Sequence, residues 1–234
     1  MAYDSEALMA ALSRFARLLP TSYEVSTALD ELVGSVTSVL GLIGAGVTLE
    51  SDGKLRFVTA ASEAVAELER CQELAQEGPC VEAHDSGQVV AVPDLETELA
   101  RWPQYTAIAL QHGIFAVAGI PMQLGGNKIG AVNLYQNEPR GWPEGDLEAA
   151  KLLADMATGY VVNANLRNQQ QQLTEQLRHA LDSRIIIEQA KGIIANRHGV
   201  GLDEAFALIR KYARAQQTSL HAVTFAIVEV GLRI

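Results

Sequence analysis

Apolar residues recur at helical spacing from the start of the chain. Leu8, Ala11, Leu12, Phe15 and Leu18 predict a helix over 4–18, and Pro20 is its expected stop. Leu29, Leu32, Val33, Val36, Val39 and Leu40 form a second stripe, which predicts a helix over 24–40. The period then shortens. Strands are expected over 45–50 and 55–60, joined by the turn residues Ser51-Asp52-Gly53. Helical spacing returns over 63–76, a short buried strand fits 89–92, and a third helical stretch covers 102–111 with Gly113 as its stop. Two more strands, 116–124 and 128–135, flank the hairpin turn Gly125-Gly126-Asn127.

From Glu144 the pattern is helical over a long distance. Leu147, Ala150, Leu153, Ala154, Ala157, Tyr160, Val161 and Ala164 make one apolar face. Over 165–172 (NLRNQQQQ) only Leu166 is apolar, and the stripe resumes at Leu173, Leu177, Ala180 and Leu181. Three helices close the chain. Over 182–196, Ile185, Ile186, Ile193 and Ile194 are expected inside, with Arg184, Glu188 and Lys191 one turn apart on another face. Gly199 is the expected stop. A helix over 203–216 would bury Ala205, Phe206, Leu208, Ile209, Tyr212 and Ala213, and Thr218 or Ser219 would cap a last helix over 220–230.

These elements predict an α+β domain with a largely antiparallel sheet and flanking helices, joined by a long helix to a three-helix C-terminal domain. The expected division is a first domain over 1–164, a connecting, coiled-coil-like helix over 144–183 and a C-terminal domain over 174–234. A helical segment polar on all sides bridges domains or pairs with another chain, so a parallel homodimer is expected.

Hydrophobic residues make up 48% of the chain, ample for such a core. No apolar run reaches the length of a membrane span, and the start MAYDSEALMAALSRF lacks a basic end followed by an apolar block, so a cytoplasmic chain with no membrane partner is expected. Charge is unevenly distributed. From Thr174 onward eight Lys and Arg face six Asp and Glu, a net +2, whereas the first 173 residues carry −12. That asymmetry hints at a polyanionic partner for the tail, although a solvated helix face can look the same. Cys71 and Cys80 are too few for a disulfide framework and read as idle thiols.

The tail carries a specific pattern: Ala180-Leu181, Ser183-Arg184, Ile187-Glu188-Gln189-Ala190-Lys191-Gly192 and Arg197, then Ala205-Phe206, Leu208, Arg210, Ala213, Leu220 and Val223. It resembles the ANTAR domain, the RNA-binding module of transcription antitermination regulators. The resemblance implies binding to nascent RNA through two stem-loops with hexanucleotide loops, in competition with an overlapping terminator hairpin. Loops offer unstacked bases, and Lys and Arg neutralise phosphates. The candidate RNA-binding residues are Arg184, Lys191, Arg197, Arg210, Lys211 and Arg214. Gly192 joins them, for close approach either of RNA or, as packing favours, of the next helix.

The first domain holds Glu77-Gly78-Pro79-Cys80, Val92-Pro93-Asp94-Leu95, Arg101-Trp102-Pro103 and Gly130-Ala131-Val132-Asn133-Leu134-Tyr135. Over about 23–161 it is similar to GAF domains that precede ANTAR domains in actinobacterial regulators. Such domains host many ligands or none, so a small-molecule ligand is possible but unidentified, and no cofactor is expected. Any pocket would lie over the sheet, beneath helix 102–111 and the 78–85 segment.

Several fragments do not amount to sites. The glycines over 41–46 fit a turn into a strand better than a dinucleotide loop. His84-Asp85 reads as a loop pair without a metal-binding partner, Asp94 as a turn residue, and Cys80 beside Glu82 and His84 as a thiol of unknown reactivity. No catalytic constellation emerges, and a non-enzyme is expected. The alternatives are a DNA-binding regulator built on a helix-turn-helix-like tail, or an interaction protein with a ligand-free dimerising first domain.

Overall fold

Asp4 begins the first helix. Its carboxylate accepts from the N–H groups of Glu6 and Ala7 at 2.9 and 3.0 Å, and α1 runs Ser5–Leu18. The expected stop at Pro20 lies outside the residues described by this computed structural model, which are 3–18 and 24–234. The chain divides into two units, Met1–Asn165 and Leu166–Ile234.

In the first unit, α2 (Val25–Leu40) leads into a five-stranded sheet with order β2-β1-β5-β4-β3, antiparallel throughout. The strands are β1 (Gly44–Ser51), β2 (Lys54–Ala60), β3 (Val90–Val92), β4 (Ala116–Leu124) and β5 (Asn127–Gln136). Both hairpins close with two residues at positive φ, Asp52-Gly53 (54° and 73°) and Gly125-Gly126 (59° and 83°). This turn type suits the right-handed twist of paired strands.

Strand alternation sorts the core into two layers. Val132 and Leu134 of β5, with Val47, Ile120 and Met122, pack under α1, α2 and the first part of α6 (Glu144–His198). Phe15, Leu29, Leu32, Leu153 and Ala157 close that layer. Each fully buried large side chain there contributes roughly 1.5–3 kcal/mol through removal of apolar surface from water. On the opposite face, Tyr135 and Val117 pack under α3 (Glu63–Ala75), α4 (Pro79–Ser86) and α5 (Pro103–Gln111), with Leu68, Ala83, Tyr105 and Ala109.

The first turns of α6 are clamped to this unit. Arg140 donates to Asp146 at 2.7 Å and to the Leu40 carbonyl at 3.0 Å, and the Trp142 indole donates to the Val92 carbonyl at 3.2 Å.

One expected loop is a helix. The 78–85 segment, with its His84-Asp85 pair, forms most of α4, which starts with Pro79 in its first turn and ends at the left-handed Gly87. Two turns are too short to show a periodic stripe. Tertiary packing reveals them: a side chain at Gly119 would place its Cβ 2.7 Å from the Pro79 carbonyl oxygen, so glycine on β4 lets α4 lie close to the sheet. Asp94 is a turn residue as expected, its carboxylate accepting from the Glu96 N–H at 3.0 Å at the head of a 3₁₀ turn, Leu95–Glu98.

The second unit comprises the remainder of α6, α7 (Leu202–Ala215) and α8 (Leu220–Glu229) around Ala190, Ile194, Ala205, Ile209, Ala213, Val223 and Ile227. Gly199, at φ 68°, ends α6 where expected, with the Val200 N–H bonded to the Ala195 carbonyl. Ser219 caps α8 by accepting from the Ala222 N–H at 3.1 Å. The inward face of α6 differs from the expected one. Ile194 is buried and Ile186 and Ile193 are half-buried, but Ile185 is 56% exposed. It continues a stripe of Leu166, Leu173, Leu177 and Leu181, each 56–61% exposed.

Candidate functional site

The cations of the second unit separate into groups. Arg184, Glu188 and Lys191 fall on one face of α6 because they are four and three residues apart. Lys191 is anchored there. Its ammonium donates to both Glu188 carboxylate oxygens at 2.9 and 3.0 Å, and its side chain is only 15% exposed. The same ammonium lies 5.6 Å from the centroid of the Phe206 ring on α7, and the Arg210 guanidinium carbon lies 4.6 Å from that centroid. Phe206 therefore links the α6 face to a row along α7, in which Phe206, Arg210 and Arg214 are four residues apart.

Arg184, Arg210, Lys211 and Arg214 form no ion pair among the described residues. Their charge is available to an external anion, whereas that of Lys191 is largely engaged by Glu188. Beyond Arg210, a cleft of about 370 Å³ is lined by Arg210, Ala213, Arg214, Thr218 and Leu220.

Three of the expected residues stand apart. Lys211 lies about 100° round α7 from Arg210 and borders a separate, mostly apolar groove with Leu208, Tyr212, Ala215 and Ile234. Arg197 is about 120° round α6 from Lys191. It donates to the Leu232 carbonyl at 2.7 Å, while His198 contacts the Ile234 carbonyl at 3.0 Å, so this pair tethers the segment that follows α8. Gly192 is exposed, and a Cβ there would meet nothing within 4 Å, so close packing against α7 does not require glycine. Phe206, expected only as a core residue, is half-buried and holds two cations. Its sequence signal was the spacing to Arg210, which a core stripe shares.

In the first unit, clefts open beside α4, between Gly78, Val81, Glu82 and Trp102, and between α3 and α5, at Cys71, Leu74 and Ile108, while polar side chains of α3 and α4 are buried against the sheet. Glu69 of α3 is completely buried and accepts from the Tyr135 hydroxyl at 2.7 Å, the Asn133 amide at 3.1 and 3.2 Å and the Gln72 amide at 3.4 Å. It fits because β1 has Gly46, where a Cβ would come within 2.4 Å of the carboxylate. Burial raises the Glu69 pKa from 4.5 to about 7, against the opposing effect of the Tyr135 and Asn133 hydrogen bonds.

Cys80 is equally buried, with Sγ 2.8 Å from the Thr48 hydroxyl. Desolvation, reinforced by Glu69, pushes its thiol well above the ordinary range, the opposite of what a reactive thiolate requires. Cys71 is half-buried and its pKa is also raised by burial. Among the described residues, no group of three or more His, Cys, Asp and Glu is arranged to hold a metal, and no helix is long and apolar enough to cross a membrane.

A helix-covered antiparallel sheet is thus followed by a small helical unit that carries a row of cations. Residues 24–159 match the GAF domain family and residues 175–228 match the ANTAR domain. The chain belongs to the GAF domain family and carries an ANTAR domain, the RNA-binding domain of antiterminators.

Solved structures share the fold of the first unit. The GAF domain of a phosphoenolpyruvate-protein phosphotransferase from Coxiella burnetii is 15% identical, with a TM-score of 0.54, covering 71% of this chain and 99% of its own. Its Acinetobacter counterpart is 11% identical, with a TM-score of 0.54 and coverages of 70% and 97%. A domain of a two-component sensor histidine kinase protein from Sinorhizobium meliloti is 16% identical, with a TM-score of 0.53 and coverages of 64% and 99%. Among curated proteins, none matches the chain.

Proposed function

We propose that this protein is a transcription antitermination regulator that grips paired stem-loops with six-nucleotide loops in nascent RNA and so prevents an overlapping terminator hairpin from forming. The observation that carries the reading is the coincidence of the ANTAR match with the row of unpaired cations on α6 and α7. Arg184, Arg210 and Arg214 are the direct contacts. Lys191 orients Phe206 and Arg210, Lys211 meets RNA from the far side of α7, and bare Gly192 admits the RNA backbone. Arg197 acts by holding the segment that follows α8.

The working domains are a sensor over 1–164, a connecting helix over 144–183 and an RNA-binding domain over 174–234. The sensor domain responds to a signal or pairs subunits. A cytoplasmic homodimer fits this activity: the exposed stripe from Leu166 to Ile185 would bury against a second copy, and two copies would present two RNA sites for two loops. Helix α6 belongs to both units and is the element through which the sensor acts on the RNA-binding helices.

Selection from a pool of double-hairpin RNAs with randomised six-nucleotide loops tests the activity. Enrichment of particular loops, with weak binding to the same stems closed by four-nucleotide loops and to duplex DNA, is expected. Equal binding to every loop, or preference for the duplex, overturns the proposal. Sedimentation of wild type against Leu173→Asp and Leu177→Asp tests the dimer, which the wild type should form and the variants should not.

A further inference from the structure

The cleft at the end of α7 differs from a merely cationic surface. Its floor is apolar, formed by buried Ala213 and half-buried Leu220, and its rim carries Arg210, Arg214 and the Thr218 hydroxyl. The turn below it is fixed. Gln217 takes a left-handed conformation at φ 52°, the Thr218 N–H bonds the Ala213 carbonyl at 3.0 Å, and Ser219 caps α8. Arg214 folds back so that its Nε donates to the Arg210 carbonyl at 3.4 Å. Arg210 rests on the Phe206 ring while remaining exposed, so its planar guanidinium is backed on one side and open on the other.

We propose that this cleft receives a single unpaired nucleobase, stacked on the Arg210 guanidinium over the Ala213–Leu220 floor with its edge toward Arg214 and Thr218. The inference rests on the RNA-binding reading and names the part of the loop that this site takes. A phosphate alone would leave the apolar floor unused, whereas a base has two apolar faces and a polar edge. Stacking on aromatic rings and guanidinium planes is how proteins hold splayed loop bases. The rim offers donors from two arginines and no carboxylate, so the preferred base presents acceptor atoms at that edge. At about 370 Å³ the cleft lies at the small end of ligand sites, in keeping with one base rather than a stacked pair. The Glu188–Lys191 pair is a positioning element, because the Lys191 ammonium lies over the ring that backs Arg210, 5.6 Å from its centroid.

The test uses the full-length protein and a double-hairpin RNA whose six-nucleotide loops are those enriched by selection, prepared with one abasic residue at each loop position in turn. In the wild type, one position per loop should lose affinity on the order of tenfold when its base is removed, the effect of losing one stacked base. Arg210→Lys keeps the charge and loses the plane. It should weaken the intact RNA by a similar factor, leave the salt dependence unchanged and add no further loss with the abasic RNA at that position. Phe206→Leu should behave in the same way. Independent losses, with the abasic penalty as large in Arg210→Lys as in wild type, overturn the base receptacle and leave the RNA-binding function intact. Absence of any loop selectivity overturns both.

Discussion

Glu69 makes the stability of the sensor domain depend on pH in a direction that can be worked out. The carboxyl is fully buried, has no ion-pair partner among the described residues, and is held by Tyr135, Asn133 and Gln72. Its pKa is raised to about 7 from 4.5. Below pH 4.5 the group is protonated in folded and unfolded chains alike, and the native state bears no penalty for it. Between 4.5 and 7 the unfolded chain releases the proton and the folded chain keeps it. Stability therefore falls by about 1.4 kcal/mol per pH unit as pH rises, reaching a loss of roughly 3 kcal/mol at pH 7 and above.

Glu69→Gln mimics the protonated form at every pH and should remove that dependence. The expected result is near-equal stability of variant and wild type at pH 4.5, with the variant gaining about 3 kcal/mol by pH 8. Urea unfolding followed by tryptophan fluorescence measures it cleanly, because both tryptophans, Trp102 and Trp142, belong to the first unit. A difference between the two proteins that stays constant from pH 4.5 to 8 would refute the reasoning.

Other perturbations separate the roles of individual residues. Arg210→Glu should weaken RNA binding by roughly 1–3 kcal/mol in a titration at fixed salt, the scale of a charged contact. Arg197→Ala should instead lower the unfolding midpoint of the helical unit by the equivalent of about 1 kcal/mol, leaving the affinity of the folded protein nearly unchanged; the reverse pattern would exchange their roles. Inserting two residues within 165–172 rotates the helix by about 200° and should abolish regulated antitermination in a reporter, so an unaltered response would exclude relay through α6. With a chromogenic disulfide reagent, Cys71 should react in the folded protein and Cys80 only after denaturation. Prompt reaction of both would contradict the burial of Cys80.

How much was legible in advance depended on range. The stripes over 4–18, 24–40 and 144–198, the two Gly-containing hairpin turns and the Gly199 stop follow from local periodicity and backbone preference, and these elements form where the pattern places them. Helix α4 escaped because eight residues cannot display a helical period and its stability comes from the sheet beneath it. Ile185 was misplaced because an apolar residue on a long helix faces inward only where another element covers it. At the candidate site, residue type and spacing chose the six cations but could not sort them. Arg197 and Lys191 carry the same charge as Arg184 and Arg210, yet one holds the Leu232 carbonyl and the other a carboxylate.

The sequence by itself determined the class of protein. Its helical and strand periods are local, and the Ala-Lys-Gly pattern with its downstream spacing carries the resemblance to the ANTAR domain without any distance. Tertiary structure alone decided which charges are free, that Phe206 backs Arg210, and that Glu69 is buried against β5 with no ion-pair partner among the described residues. The physical reason is that charge availability and pKa depend on which groups from distant parts of the chain exclude water from one another, and that is set by packing rather than by spacing along the chain.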